Sequence, residues 1–118
     1  MTRISESEMK LMKIIWDYDG ELSTAEILKR LDNSWKHTTT LTFLKRLTDK
    51  GILSVKRRGK TNCYSALVSE EEYKKAQTKE FLDDFYSGSV GKFLTAFYGN
   101  KKPSEKDMEE IKRWFEEV

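Results

Sequence analysis

The sequence predicts a mainly α-helical chain with one small antiparallel β-wing, divided into a head over residues 1–68 and a three-helix tail over residues 69–118. Three observations predict it. Serine and glutamate stand three apart at Ser5/Glu8, Ser23/Glu26 and Ser69/Glu72, the spacing at which a serine hydroxyl and a glutamate carboxylate cap a helix start reciprocally. After Gly51 the apolar period changes from helical to alternating. Nine of the fourteen aromatic residues lie beyond residue 68, so the two parts are built from different material.

Taken in order, the first helix follows Ser5, buries Met9, Leu11, Met12, Ile15 and Trp16, and is ended by Gly20. The second follows Ser23 and buries Ile27, Leu28 and Leu31. The third is expected over about Thr38 to Lys50, stopped by Gly51, with Thr40, Phe43, Leu44 and Leu47 inward. Its opposite side then carries Thr38, Leu41, Thr42 and Lys45, with Thr39 and Arg46 on the flanks. Ile52 to Val55 reads as a strand, Lys56 to Thr61 as a charged hairpin tip, and Cys63 to Val68 as the returning strand; Glu21-Leu22 adds a short third strand. Helix, helix, helix, strand, strand is the order of a winged helix-turn-helix head. In the tail, Tyr73, Ala76, Phe81 and Phe85, then Val90, Phe93, Leu94 and Phe97, then Met108, Ile111 and Phe115 fall at helical spacing, with breaks at Ser87-Gly88-Ser89 and between Gly99 and Ser104. Fifty residues cannot hide that much aromatic surface alone, so the tail is expected to be a dimerisation arm using Tyr73, Phe81, Phe85, Val90, Phe93, Leu94, Phe97, Ile111 and Phe115.

Charge sharpens the division. The net +2 of the 118 residues conceals a head with 13 basic and 8 acidic residues and a tail with 9 and 12. Between residues 36 and 60 eight Lys or Arg face a single acid, Asp49. A cationic block on a helix and an adjacent hairpin suits duplex DNA. Thr38, Thr39 and Thr42 supply hydroxyls for a major groove, and Leu41 an apolar contact for a thymine methyl. Lys45 and Arg46 suit phosphate or a guanine edge, Lys36 and the amides opening the third helix suit phosphate, and Arg57, Arg58 and Lys60 suit the backbone or minor groove.

Other chemistry is poorly supplied. One cysteine and one histidine make neither a disulfide nor a Cys/His metal site, and no nucleophile, base and acid can be assembled, so no enzyme, cofactor or metal is expected. His37, just before the third helix, reads as an N-terminal capping or phosphate-facing residue, Cys63 as a small buried hydrophobe, and Asp83-Asp84 near Glu80 as a solvated face. No apolar run approaches the ~18 residues that cross a bilayer, and the start lacks the apolar core of a signal peptide, so a cytoplasmic protein is expected. Two alternatives to DNA binding stand: a winged-helix protein-interaction module, and a regulator sensing a small ligand among the tail aromatics.

The motifs resemble the penicillinase-repressor (BlaI/MecI/CopY) family of bacterial transcriptional regulators. The resemblance rests on Ile4 to Glu8 with Leu11-Met12-Lys13 and Trp16; on Thr24 to Ile27 with Leu31; on Trp35, Thr39, Thr42, Leu44, Arg46-Leu47 and Lys50-Gly51; and on Leu67 to Tyr73 with Phe81-Leu82 and Gly88-Ser89. It implies a homodimeric repressor of winged heads on a palindromic duplex operator, with Thr38 and Thr39 near the backbone, Thr42 near bases, Arg46 supporting that surface and the wing on phosphate. It also implies an inducing protease as a partner in some members, acting at an Asn-Phe bond for which this chain has Ala96-Phe97. Leu41 stands where relatives often carry a polar residue, His37 where proline is common, and Asn62 where an aromatic is common. The terminal cysteine cluster of the copper-responsive members is absent, which excludes copper sensing by that route.

Overall fold

The computed structural model describes residues 3–118. It contains α1 (Glu6–Asp17), β1 (Leu22–Ser23), α2 (Thr24–Arg30), α3 (His37–Asp49), β2 (Leu53–Arg58), β3 (Thr61–Ala66), α4 (Glu70–Tyr86), α5 (Val90–Tyr98) and α6 (Glu105–Glu117). The capping boxes at Ser5/Glu8 and Ser23/Glu26 are complete. At Ser69 the hydroxyl accepts from the Glu72 N–H at 3.0 Å. α1 ends at Asp17, earlier than the glycine predicts, because Tyr18 is already extended. Asp32 and Asn33 adopt positive φ, a region those residue types tolerate, and turn the chain from α2 into α3. α3 closes in a Schellman motif: Gly51 has φ 78°, its N–H donates to Thr48 O, and the Ile52 N–H donates to Leu47 O, each at 3.0 Å.

The strands form one antiparallel sheet in the order β1-β3-β2. Leu22 opposes Tyr64, as Val55 does, and Arg58 opposes Thr61, leaving a two-residue loop of Gly59 and Lys60. Gly59 at φ 63° occupies the first loop position, where a type II′ turn needs a positive φ. The wing is therefore a longer ladder with a shorter tip than the charge run predicts: Arg57 and Arg58 belong to β2.

Two compact units emerge, Met1–Gln77 and Thr78–Val118. The division falls within α4, nine residues later than the expected boundary after residue 68. The head core joins Leu11, Met12 and Ile15 of α1, Ile27 of α2, Leu44 and Leu47 of α3, and Leu22, Ile52, Leu53 and Tyr64 around the sheet. Tyr73 is part of that core. Only 4% exposed, it accepts a hydrogen bond from the Ile4 N–H at 2.8 Å and lies 5.8 Å from Trp16, whose indole N–H donates to Val68 O. This corrects its expected place on the dimerisation surface: an N-terminal segment and α1 already enclose the ring. Cys63, expected to be buried, is half-buried.

The tail unit is organised around rings. Phe81, Tyr86 and Phe93 meet edge to face with centroids 5.6–6.1 Å apart, and Phe97 stacks on Phe93 at 5.9 Å. Gly88 (φ 76°) follows the end of α4, and the Tyr98 hydroxyl donates to Asp107 at 2.8 Å, tying the end of α5 to the first turn of α6. None of the residues of α5 or α6 is buried.

Candidate nucleic-acid interface

The inward side of α3 is set by burial of Thr40, Leu44 and Leu47, so the opposite side is fixed outward. Thr38, Thr39, Thr42, Lys45 and Arg46 are all exposed there, and Leu41 is half-buried at its edge. Lys36, the N-cap, makes no side-chain capping bond and the first turn holds no acid, so the opening amides and their partial positive charge are open to an anion. His37, expected just before the helix as a cap or phosphate contact, is instead its exposed first residue, because the chain already turns helical there and Lys36 takes the N-cap position. The Thr42 hydroxyl donates back to Thr38 O at 3.0 Å, which commits its hydrogen and leaves its oxygen as an acceptor on an exposed residue. Lys45 pairs with Asp49 at 2.9 Å, both highly exposed, a contact that a stronger anion displaces at small cost.

The wing completes one concave surface with α3. Side chains alternate across β2 and β3, so Val55, Asn62 and Tyr64 face α3 and, with Leu41, Lys45, Thr48 and Asp49, line a cleft of about 360 Å³. Arg57 shares the pleat of Val55, and its Nε–H donates to Gly59 O at 3.2 Å. Arg58 lies on the other pleat and is clamped by Glu21, with Nε and Nη2 donating to the two carboxylate oxygens at 3.0 and 2.8 Å. That hydrogen bond holds the Glu21 carboxyl below the usual carboxylate range. Lys60 sits at the exposed tip. The structure thus brings Thr38, Thr39, Leu41, Thr42, Lys45, Arg46, Arg57 and Lys60 to adjoining surfaces and ties Arg58 to the root of the sheet.

Sequence reasoning missed Glu21, because its partner is 37 residues away, and it gave Phe43 only a packing role. Phe43 also lies 5.4 Å from the Trp35 ring and 5.2 Å below the Arg46 guanidinium carbon. The spacing of Phe43 and Arg46, three apart on a helix, was the available signal.

In the tail, Phe81, Phe85, Val90, Leu94, Phe97 and Phe115 are exposed, Phe97 and Phe115 at 67% each, while Phe93 and Ile111 are half-buried. Val90 and Leu94 of α5 with Ile111, Trp114 and Phe115 of α6 border an apolar groove of about 380 Å³, and Glu110 stands at its edge. The Ala96–Phe97 bond lies inside α5, with both residues exposed.

The sequence profile of the penicillinase repressor family matches residues 4–117. The chain belongs to the penicillinase repressor family. The family's penicillinase repressor from Bacillus licheniformis is 30% identical over 117 residues, covering 98% of this chain and 91% of that protein. The methicillin resistance regulatory protein MecI of Mammaliicoccus sciuri is 28% identical over 111 residues, covering 92% and 89%. The solution structure of the DNA-binding domain of the repressor BlaI superposes with a TM-score of 0.54 at 33% identity, covering 60% of this chain and 88% of that one. As a member of the penicillinase repressor family, the chain matches along both units. No helix among its described residues is long and apolar enough to cross a membrane.

Proposed function

We propose that this chain is a cytoplasmic transcriptional repressor that binds a palindromic DNA operator as a homodimer of winged heads paired through their tails. DNA binding and repression follow from family membership. The observation that carries the reading is the outward side of α3, with three threonine hydroxyls and two cations beside a cationic wing and no acid in its first turn. α3 enters the major groove: Thr42 and Leu41 meet base edges, Thr38, Thr39, Lys36, Lys45 and Arg46 take the flanking phosphates, and Arg57 and Lys60 grip the backbone beside them. The exposed rings of α5 and α6 support pairing of two copies, since a monomer would leave them in water. A two-fold protein then prefers a two-fold site. Occupancy of the operator, with no chemistry, is the mechanism.

Titration of duplex DNA at several salt concentrations tests the reading. Displacing phosphate counterions gives log affinity a steep negative slope against log salt; a flat response overturns it.

Relief of repression through an inducing protease at Ala96–Phe97 fits the exposure of both residues, and requires α5 to unwind locally. The groove between α5 and α6 favours a second route, capture of a small apolar ligand there. Stabilisation of the chain by such a ligand, abolished by Leu94→Glu, separates the two.

A further inference from the structure

Arg46 is the one arginine between residues 36 and 60 whose side-chain donors have no acceptor within the described residues: Arg57 bonds Gly59 and Arg58 bonds Glu21. It is nevertheless held. Its guanidinium carbon lies 5.2 Å from the Phe43 ring centroid, inside the range for cation–π attraction. Phe43 is itself braced, with the Trp35 ring at 5.4 Å and both rings packed against the head core. An aromatic ring thus lies beneath the guanidinium carbon while the guanidinium N–H donors have no acceptor among the described residues. Arg46 also sits one turn beyond Thr42, beside the surface given to bases.

We infer that Phe43, braced by Trp35, is a positioning residue that holds the Arg46 guanidinium ready for a DNA phosphate. The inference rests on the repressor reading and deepens it. A free arginine side chain loses substantial rotamer entropy on docking, whereas one already held over a ring has lost part of it, and its planar fork of donors suits bidentate phosphate contact. Lys45, one residue earlier, has no ring beneath it among the described residues and is held by the exposed Asp49 carboxylate instead. The two neighbouring cations of α3 therefore differ: Arg46 is preorganised and Lys45 is exchangeable.

A double-mutant cycle on a mixed-sequence duplex, which carries phosphates without an operator, tests this between about 50 and 200 mM salt. Arg46→Ala should weaken binding and flatten the salt slope by up to about one unit. Phe43→Leu, which keeps an apolar side chain for the core, should weaken binding about two- to fivefold in the wild-type background and have no further effect in the Arg46→Ala background. Phe43→Tyr should restore wild-type affinity. Equal losses from Phe43→Leu in both backgrounds, or failure of Phe43→Tyr to restore affinity, would overturn the positioning role. Absence of salt-dependent duplex binding by the wild-type chain would instead overturn the repressor reading on which it rests.

Discussion

Lys50, the residue that closes α3, places its ammonium 2.6 Å from Glu8 Oε1, and the Glu8 side chain is only 3% exposed. The same carboxylate oxygen accepts the Ser5 N–H at 3.0 Å to cap α1, and Lys50 also donates to Arg3 O at 3.0 Å. One carboxylate therefore fastens the start of α1 to the end of α3, the helix of the candidate interface. Burial pushes the Glu8 carboxyl up, but the bonds from Lys50 and Ser5 outweigh it and hold the group below the ordinary carboxylate range.

A carboxyl whose pKa is lower folded than unfolded contributes stability that is full above the unfolded value and lost as pH falls through the folded one. Acidification through and below the ordinary carboxylate range should therefore loosen the head. Glu8→Gln should lower stability at neutral pH by roughly 1–3 kcal/mol, because it leaves Lys50 without its counter-charge, and should flatten the acid dependence. Thermal melts from neutral pH to about pH 3 read both effects; an unchanged acid profile in Glu8→Gln would remove Glu8 from this role.

Glu21 makes a second prediction. It takes the Nε–Nη2 edge of Arg58, so the wing's cations are unequal: Lys60 at the tip has no partner among the described residues, and Arg58 is committed to Glu21. On a mixed-sequence duplex, Lys60→Ala should weaken binding more than Arg58→Ala. Glu21→Gln should strengthen binding to all sequences alike and steepen the salt slope by up to about one unit, by removing a negative charge and freeing Arg58 for phosphate. Weaker binding in Glu21→Gln would mean that the clamp shapes the wing more than it restrains the charge.

These pairs also mark what the sequence could convey. Helix starts, the Gly51 stop and the change from helical to alternating period depend on neighbours within a few residues, and each lies within one or two positions of its expected place. Tyr73 did not. Its helical spacing with Phe81 and Phe85 describes one stripe, but the hydrogen bond from Ile4, 69 residues away, assigns it to the head. Glu8 was legible as a cap and illegible as the partner of Lys50, because a cap is local and an ion pair 42 residues apart is a tertiary event. The outward residues of α3 were legible because burying Thr40, Leu44 and Leu47 leaves a helix only one other side to expose.

Thr42 carries the prediction for base reading. Its hydroxyl hydrogen is committed to Thr38 O, so on the proposed DNA-facing side it has an acceptor oxygen and a methyl group to offer. It should therefore favour a base offering an amino hydrogen, adenine or cytosine, or a thymine methyl, over the acceptors of guanine. Selection from random duplexes should show Thr42→Ala relaxing preference at one position of each half-site at a cost of about 1–3 kcal/mol, with other positions unchanged. A uniform loss across sequences would place Thr42 on the backbone instead.

In the proposed homodimer, pairing of the tails would couple the reading of the two half-sites. Phe115 and Phe97 are each 67% exposed in the single chain, so a charge placed there costs the monomer little and a paired interface much. Phe115→Asp should leave thermal unfolding of the head unchanged while sedimentation shifts from a dimer to a monomer at micromolar concentration. With the linkage lost, the second head no longer binds at high effective concentration, so affinity for a palindromic duplex should fall by about a hundredfold or more while affinity for a single half-site holds. Phe97→Asp should behave the same way if both rings belong to one interface. A wild-type chain that sediments as a monomer would overturn pairing through the tails, and a Phe115→Asp chain that remains dimeric and keeps its preference for the palindrome would place the pairing surface elsewhere than on these rings.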